Sequence, residues 1–434
     1  MRFVESVAIT FTSRIIIVLI AIASSIITAR WLGPAGKGTL AVLWVIVGLG
    51  VEFGNFGFHA SNVYFTARDK KSVSNVASNS LSFGLIAGII ISSGLVGLYL
   101  IKSNLFVNIP FLLFLVTIIL VPFRLILYFF QHLFLGLQKI LVYNSFELTE
   151  RTFLFLVVVI VLVLFKRGLF SLMLFMTLVT GILALFYIIY THNALNSSFL
   201  DFDGKLFGKM FKYGFKSYLA CIFGFLIVRS DMLLVNYFKG ANLSGIYSVA
   251  VNLADFLYLL PVTIGSILFT KVSANTADKG IFTQKISRHT VLLMAIICIL
   301  IALISKSLIL LMYGVQFAFS ATPFLWLLPG IFFLSLAIIY NNDLAGRGLP
   351  PIVFIAPGVG FILNFSLNLL FIPRYGITGA AITSSISYFV MFIILLRYLV
   401  KFTHSTIKQF LVPNRKEINV LLKRSMKWLK IKIS

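Results

Sequence analysis

Negative charge is what this sequence has least of. Only 12 of its 434 residues are Asp or Glu, and charged residues of both signs make up 11%, under half the share usual in soluble domains. Cysteine is reduced to Cys221 and Cys298, and histidine to His59, His132, His192, His289 and His404, scattered singly. That scarcity excludes a disulfide framework and offers no ligand spacing for a metal. There is no Gly-x4-Gly-Lys-Ser/Thr loop, no His-Glu-x-x-His, no Cys-x-x-Cys and no nucleophile elbow, so nucleotide-driven pumps and the common hydrolases lack their signatures. Long polar stretches are missing too, which leaves no room for an aqueous catalytic domain.

Apolar residues fill the space. They make up 60% of the chain, with 45 Phe among them, and a bilayer-crossing helix needs about 20 in succession. Windows of that kind fall at 8–30, 39–58, 80–101, 110–135, 148–165, 168–190, 213–236, 244–268, 289–312, 322–341, 351–372 and 378–400. They predict an all-α membrane protein of about twelve transmembrane helices. The first window is too long for a signal-peptide core and carries Arg14, so it is expected to be a retained span.

The net charge of +24 would suggest nucleic acid in a soluble protein; here it is expected to record orientation and contact with anionic lipid, with no nucleic-acid partner. With the N-terminus in the cytoplasm, Arg68, Lys139, Lys205, Lys209, Lys212, Lys271, Lys285, Arg288 and the basic tail share one side. Arg30, Lys37, Lys102, Lys166, Arg167, Lys239, Lys306 and Arg374 face the other. Both termini are therefore predicted to be cytoplasmic. In the tail, 401–434, Ile418, Leu421, Leu422, Met426 and Leu429 recur near helical spacing among Lys and Arg, as in an interfacial helix; a solubilising tail is the alternative.

The chain resembles itself at an offset of 207 residues. Gly33-x4-Gly38 lies over Gly240-x4-Gly245, and Pro122 over Pro329. Six spans per copy give both copies the same orientation, hence a parallel pseudo-two-fold repeat. The expected organisation is an N-terminal six-helix lobe at 1–195, a C-terminal six-helix lobe at 196–400 and the tail at 401–434.

Ionisable groups at bilayer depth are costly and face protein or water. Helical spacing gathers Thr10, Arg14, Ser24 and Thr28 on one face of span 1, Glu52, Asn55 and His59 on span 2, Thr117, Arg124, Tyr128 and Gln131 on span 4, and Ser248, Asn252 and Asp255 on span 8. Arg229 and Asp231 of span 7 point about 200° apart, so each is expected to find its partner on another helix or in water. Glu147 and Arg151, one turn apart, are expected to pair locally. Forked guanidinium donors suit phosphate. The candidate substrate-binding residues are therefore Arg14, Arg124, Arg229, Tyr128 and Asn252, lining a cationic cavity, and the candidate ion-coupling carboxylates are Glu52, Asp231 and Asp255. The competing reading has those arginines paired with those carboxylates to lock helices together. Pro357, Gly358 and Gly360 mark a candidate hinge, with a static kink as the competing reading.

Several phrases carry a family resemblance. Ala29-Arg30-Trp31-Leu32-Gly33-Pro34-Ala35-Gly36-Lys37-Gly38, Arg229-Ser230-Asp231 followed by Gly240-x4-Gly245-Ile246-Tyr247-Ser248, and Asn368-Leu369-Leu370-Phe371-Ile372-Pro373-Arg374-Tyr375-Gly376-Ile377-Thr378-Gly379 resemble bacterial polysaccharide-biosynthesis membrane proteins. These are the oligosaccharide flippases of the multidrug/oligosaccharidyl-lipid/polysaccharide exporter superfamily. The resemblance implies a two-lobed bundle in the bacterial cytoplasmic (inner) membrane that moves an undecaprenyl-diphosphate-linked oligosaccharide, an O-antigen, capsule or related unit, outward by alternating access. No enzymatic step and no cofactor are expected; without a nucleotide loop, the energy source is expected to be an ion gradient (proton or sodium), the membrane potential or the substrate's own gradient, and a polysaccharide polymerase or export complex is a candidate further partner. The alternatives are a drug/cation antiporter of the same superfamily and a membrane polymerase or glycosyltransferase.

Overall fold

The apolar windows fold as helices that outrun them. The computed structural model describes residues 3–69, 72–106, 109–195, 202–274, 280–348 and 351–412. Eight helical segments are long and apolar enough to cross a membrane. Three of them, Phe3–Asn55, 204–274 and Ile352–Thr403, are each broken once at a glycine. A further crossing at 140–164 carries Glu147, Glu150 and Arg151 and ends in a π-helical turn. Among the described residues the result is twelve crossing helices: α1 (3–32), α2 (34–55, continued as Phe58–Arg68), α3 (Val73–Ile101), α4 (Phe111–Gly136), α5 (140–164), α6 (Leu169–Leu195), α7 (204–239), α8 (241–274), α9 (Ile281–Tyr313), α10 (Ala321–Gly346), α11 (352–375) and α12 (377–403). A short helix, Ile407–Leu411, follows.

Several helices begin seven to nine residues before the apolar window does, as at Val73, Ile140, Gly204 and Ile281. Hydropathy registers the thickness of lipid, whereas backbone hydrogen bonding continues through polar turns for as long as a cap satisfies the free amides. At α7 that cap is Asp203, whose Oδ1 accepts the backbone N–H groups of Lys205 at 2.9 Å and Leu206 at 3.0 Å. The Leu206 amide is the main reason the Asp203 carboxyl sits below its ordinary range.

The breaks at Gly33 (φ 65°, ψ −178°), Gly240 (φ 77°, ψ 176°) and Gly376 (φ 60°, ψ −140°) replace loops. A side chain is strongly disfavoured there, so glycine is needed. The turn at Gly33 is sharp: Lys37 Nζ donates to Thr28 Oγ1 at 2.8 Å, whereas a straight helix would separate those residues by about 13 Å. Pro34 then starts α2 with its φ already set.

Gly33 and Gly240 are equivalent positions of the repeat, and the repeat is visible in packing. A Cβ on Gly38 would stand 1.8 Å from the Ala241 carbonyl, and one on Gly245 would stand 1.8 Å from the Pro34 carbonyl. Residues 34 and 241, like 38 and 245, are 207 apart, so equivalent backbones touch reciprocally across the pseudo-two-fold between α2 and α8. At the other end of the seam, which we call the C-terminal face because Ile407–Leu411 lies there, Gly57 packs on Gly214 and Ser61 Oγ donates to the Met210 carbonyl at 2.5 Å.

Large apolar side chains cover the outside, among them Leu100, Ile101, Ile182, Leu303 and Leu311, each more than 60% exposed. Such a girdle needs lipid as its solvent, and the protein is an integral membrane protein. The expected tail helix at 418–429 lies outside the described residues.

Candidate functional site: the polar interior between the two halves

In the N-terminal half, α1, α2, α4 and α5 bring their polar stripes together. Arg14 Nη1 donates to Glu147 Oε1 at 2.6 Å. Arg124 forms a close ion pair with Glu150 and lies over the Trp44 ring, 5.1 Å from its centroid. Arg151 is exposed and stands within electrostatic reach of Glu147, Arg14 and Arg124, yet has no ion-pair partner within 4 Å among the described residues. Tyr128 packs against His59 and His132, with centroids 5.2 Å and 4.4 Å away. Glu52 buries Oε2 with no hydrogen-bond partner, within electrostatic reach of Tyr128 and of Tyr218 and Cys221 on α7.

The C-terminal half is built differently. Arg229 Nη2 meets Asp255 Oδ2 of α8 at 2.9 Å. Asp231 points elsewhere: Oδ2 accepts the Tyr247 hydroxyl at 2.5 Å and the Ser384 hydroxyl at 3.2 Å, and Oδ1 accepts the Met232 amide at 2.8 Å. A polar chain extends from it, because Asn364 Nδ2 donates to Ser384 Oγ at 3.2 Å and Asn368 Nδ2 to Asn364 Oδ1 at 2.8 Å. Thr383 Oγ1 donates to Asn368 Oδ1. A cavity of about 10 Å³ lies between Asp231, Asp255, Tyr258 and Tyr388, room for one water.

The two halves meet on Ser25. Its hydroxyl is joined by Lys37 Nζ at 3.3 Å, Asn252 Nδ2 at 3.1 Å and the Tyr313 hydroxyl at 3.2 Å. Lys37 is buried, 6% exposed, and its other partners are Thr28 Oγ1 and the Ser25 carbonyl. Nearby, Arg30 donates to the carbonyls of Leu311 and Met312, and Lys239 to that of Pro373, each cation closing the negative end of a helix.

Arg14, Arg124 and Tyr128 thus converge in one half, Arg229, Asp231 and Asp255 in the other, and Asn252 stands at the seam. Three sequence expectations need correction. Arg14 and Arg124 pair with Glu147 and Glu150 of α5, not with Glu52 or Asp231; α2 meets Arg124 with the Trp44 ring instead of with Glu52. Glu147 is therefore taken by Arg14 and not by Arg151 one turn along its own helix. Lys37 is no loop residue: Pro34 starts α2, so Lys37 falls within its first turn and folds back onto α1. His59 and His132, far apart in sequence, pack ring to ring with centroids 5.3 Å apart. The backbone of α11 is helical through Pro357, Gly358 and Gly360, with its one break at Gly376.

Sequence reasoning missed Glu150, Lys37, Tyr247, Ser384 and Thr383 as members of these networks. For Glu150 and Arg151 the signal was present, since adjacent charges project 100° apart and cannot share one partner. For Thr383 there was none, because a threonine hydroxyl in an apolar helix usually bonds its own backbone, and for Tyr247 spacing does not say which neighbouring helix its hydroxyl reaches.

Residues 3–270 match the family model described as polysaccharide biosynthesis protein. The chain belongs to that family. Over 229 residues it is 29% identical to an uncharacterized membrane protein of Methanocaldococcus jannaschii, covering 51% of this chain and 44% of that one. Over 202 residues it is 28% identical to a putative O-antigen transporter of Shigella flexneri, covering 45% and 48%. The matches thus span about half the length of these curated relatives. Among solved structures, the lipid II flippase MurJ in an inward closed conformation superposes with a TM-score of 0.78 at 14% identity, covering 93% of this chain and 89% of that one. An inward-facing multidrug resistance MATE family transporter of the MOP superfamily gives 0.73 at 14% identity, covering 89% and 94%. At such identities the likeness is one of fold: this polysaccharide biosynthesis protein shares the two-lobed all-helical fold of those transporters.

Proposed function

We propose that the protein is a flippase for a lipid-linked oligosaccharide, carrying an undecaprenyl-diphosphate-linked O-antigen, capsule or related unit from the cytoplasmic to the outer leaflet of a bacterial inner membrane. In this reading the C-terminal face is cytoplasmic, residues 1–195 and 196–400 are the two lobes, and 401–434 is a basic tail against anionic lipid. A polysaccharide polymerase or export complex receives the product.

The observation that carries the reading is the surplus guanidinium. Glu147 and Glu150 occupy Arg14 and Arg124, which leaves Arg151 beside them exposed and without an ion-pair partner of its own among the described residues. A diphosphate brings two adjacent anionic groups whose paired terminal oxygens can each take a guanidinium fork; they meet Arg151 first and can then displace a glutamate from Arg14 or Arg124, exchanging one charge-assisted pair for another. Tyr128 flanks this set, and Asn252 and Arg229 stand across the seam. Binding energy is realised only in states where the lobes admit the head group, and that differential interaction drives rocking.

Asp231 is the coupling carboxylate in this proposal. It is buried, accepting a backbone N–H from α7 and hydroxyls from α8 and α12; a carboxylate beside two hydroxyls suits a proton or a sodium ion, and Glu52 is a second acceptor. Pro357, Gly358 and Gly360 flex α11 against α7 as the site changes occupancy.

The test is leaflet-resolved labelling of lipid-linked glycan in membranes of the native strain. R151Q is expected to leave glycan in the inner leaflet and R151K to restore part of the export. If R151Q exports like the parent, the diphosphate reading fails.

A further inference from the structure

A second cationic site lies at the C-terminal end of the seam, away from the arginines described above. The continuation of α2, Phe58–Arg68, and the first turns of α7 enclose an open cleft of about 700 Å³, lined among others by Tyr64, Arg68, Lys209, Lys212 and Tyr213. Its floor is a stack of two half-buried tyrosines, Tyr64 of the first half and Tyr213 of the second, with centroids 4.2 Å apart and planes 20° from parallel. Arg68 Nη1 donates to the Tyr64 hydroxyl at 2.8 Å, which fixes one cation at the edge of the stack. Lys209 and Lys212 are exposed on the opposite wall and make no ion pair among the described residues. Asp69 is the one carboxylate in the lining.

Three cations against one carboxylate, around an aromatic floor, suit an anion attached to something flat or apolar. The aromatic stack also belongs to the moving parts, because its two rings sit on different lobes. Separation of the lobes at this face parts the rings and frees their faces beside the cations. Phosphate oxygens would then meet Arg68, Lys209 and Lys212, while a sugar ring would cover a tyrosine face. Ligands with charge but no apolar or ring portion gain only the screened electrostatic part.

We propose that this cleft is a receiving site for the diphosphate head group of a lipid-linked sugar, occupied before the head group reaches Arg14, Arg124 and Arg151. The proposal rests on the flippase reading and adds a place where the cargo is first held.

The full chain, purified into phosphatidylcholine nanodiscs, would be photolabelled with a benzophenone-bearing farnesyl diphosphate and the labelled peptides mapped. Label is expected in peptides covering 58–72 and 204–213, competed by inorganic pyrophosphate. It should fall about tenfold or more in the triple variant R68Q/K209Q/K212Q and return in R68K/K209R/K212R. The triple variant must elute and melt as the parent does; if it does not, the single variants K209Q and K212Q, on the exposed wall, are read instead and should each reduce the label. Label confined to α1, α4 and α5 and indifferent to the triple variant overturns the cleft while leaving the flippase reading standing. Competition by phosphatidylglycerol as effective as that by pyrophosphate also overturns it, since the site would then hold any anionic lipid. Absence of specific label anywhere would count against the flippase reading itself.

Discussion

Replacing Gly38 by alanine probes the contact on which the closed seam depends. The new methyl would lie 1.8 Å from the Ala241 carbonyl oxygen, whereas carbon and carbonyl oxygen settle at about 3.3 Å. The lobes must therefore part by about 1.5 Å at that point. No rotamer relieves the clash, because the obstacle is backbone on a helix that is itself packed. Overpacking of this kind costs about 1–3 kcal/mol, and only in the state where α2 and α8 touch; the state open on this face pays nothing. The open-to-closed ratio should rise by a factor of about 5 to 150. A cysteine at Ser248, buried one turn along α8 from Gly245, reports the change through its rate of reaction with a membrane-impermeant maleimide, in a background where Cys221 and Cys298 are alanine. G38A should react faster by that factor and export less glycan. G245A meets the Pro34 carbonyl at the same 1.8 Å and should behave alike, but the double variant should gain little more than either single one, since the first methyl has already opened the gap. An unchanged labelling rate in G38A, or effects that simply add, would refute the reciprocal contact.

Two further outcomes follow from buried charge. K37M removes an ammonium that no carboxylate neutralises and leaves the Ser25 bonds to Asn252 and Tyr313 in place; it is expected to raise the thermal midpoint by a few degrees and slow the maleimide reaction at position 248, and a midpoint several degrees lower would contradict this. D231N keeps an acceptor for Tyr247 but loses the charge, so it should stay folded while the dependence of export on sodium or pH disappears; export that retains the parent's dependence would remove Asp231 from the coupling.

The fold was largely legible because lipid enforces a simple rule. Each span had to satisfy its own backbone, and windows such as 110–135 or 378–400 lie within a few residues of the helices found. The elbow glycines were visible as punctuation at Gly33 and Gly240, and the repeat they implied appears as the touching pair Gly38 and Gly245. The interior was less legible. Helical spacing identified which face of each span is polar, so Arg14, Arg124 and Arg229 were found. Spacing carries no information about which neighbour a face meets, and the partners Glu147, Glu150 and Asp255 depend on how α5 and α8 pack. Lys37 was misread for a related reason: in a helix pair joined by a single glycine, a charge next to the turn is already inside the bundle.

Those single-residue turns also decide what the outer surface offers. If the C-terminal face is cytoplasmic, three of the six connections on the far side are one glycine long, and the others, 102–110, 165–168 and 314–320, are all under ten residues. An antibody or protease approaching intact cells would find almost no peptide to grip. Inserted tags at Gly33, Gly240 or Gly376 would split a helix pair rather than lengthen a loop, so the protein should be nearly invisible from outside and should accept foreign sequence only from within.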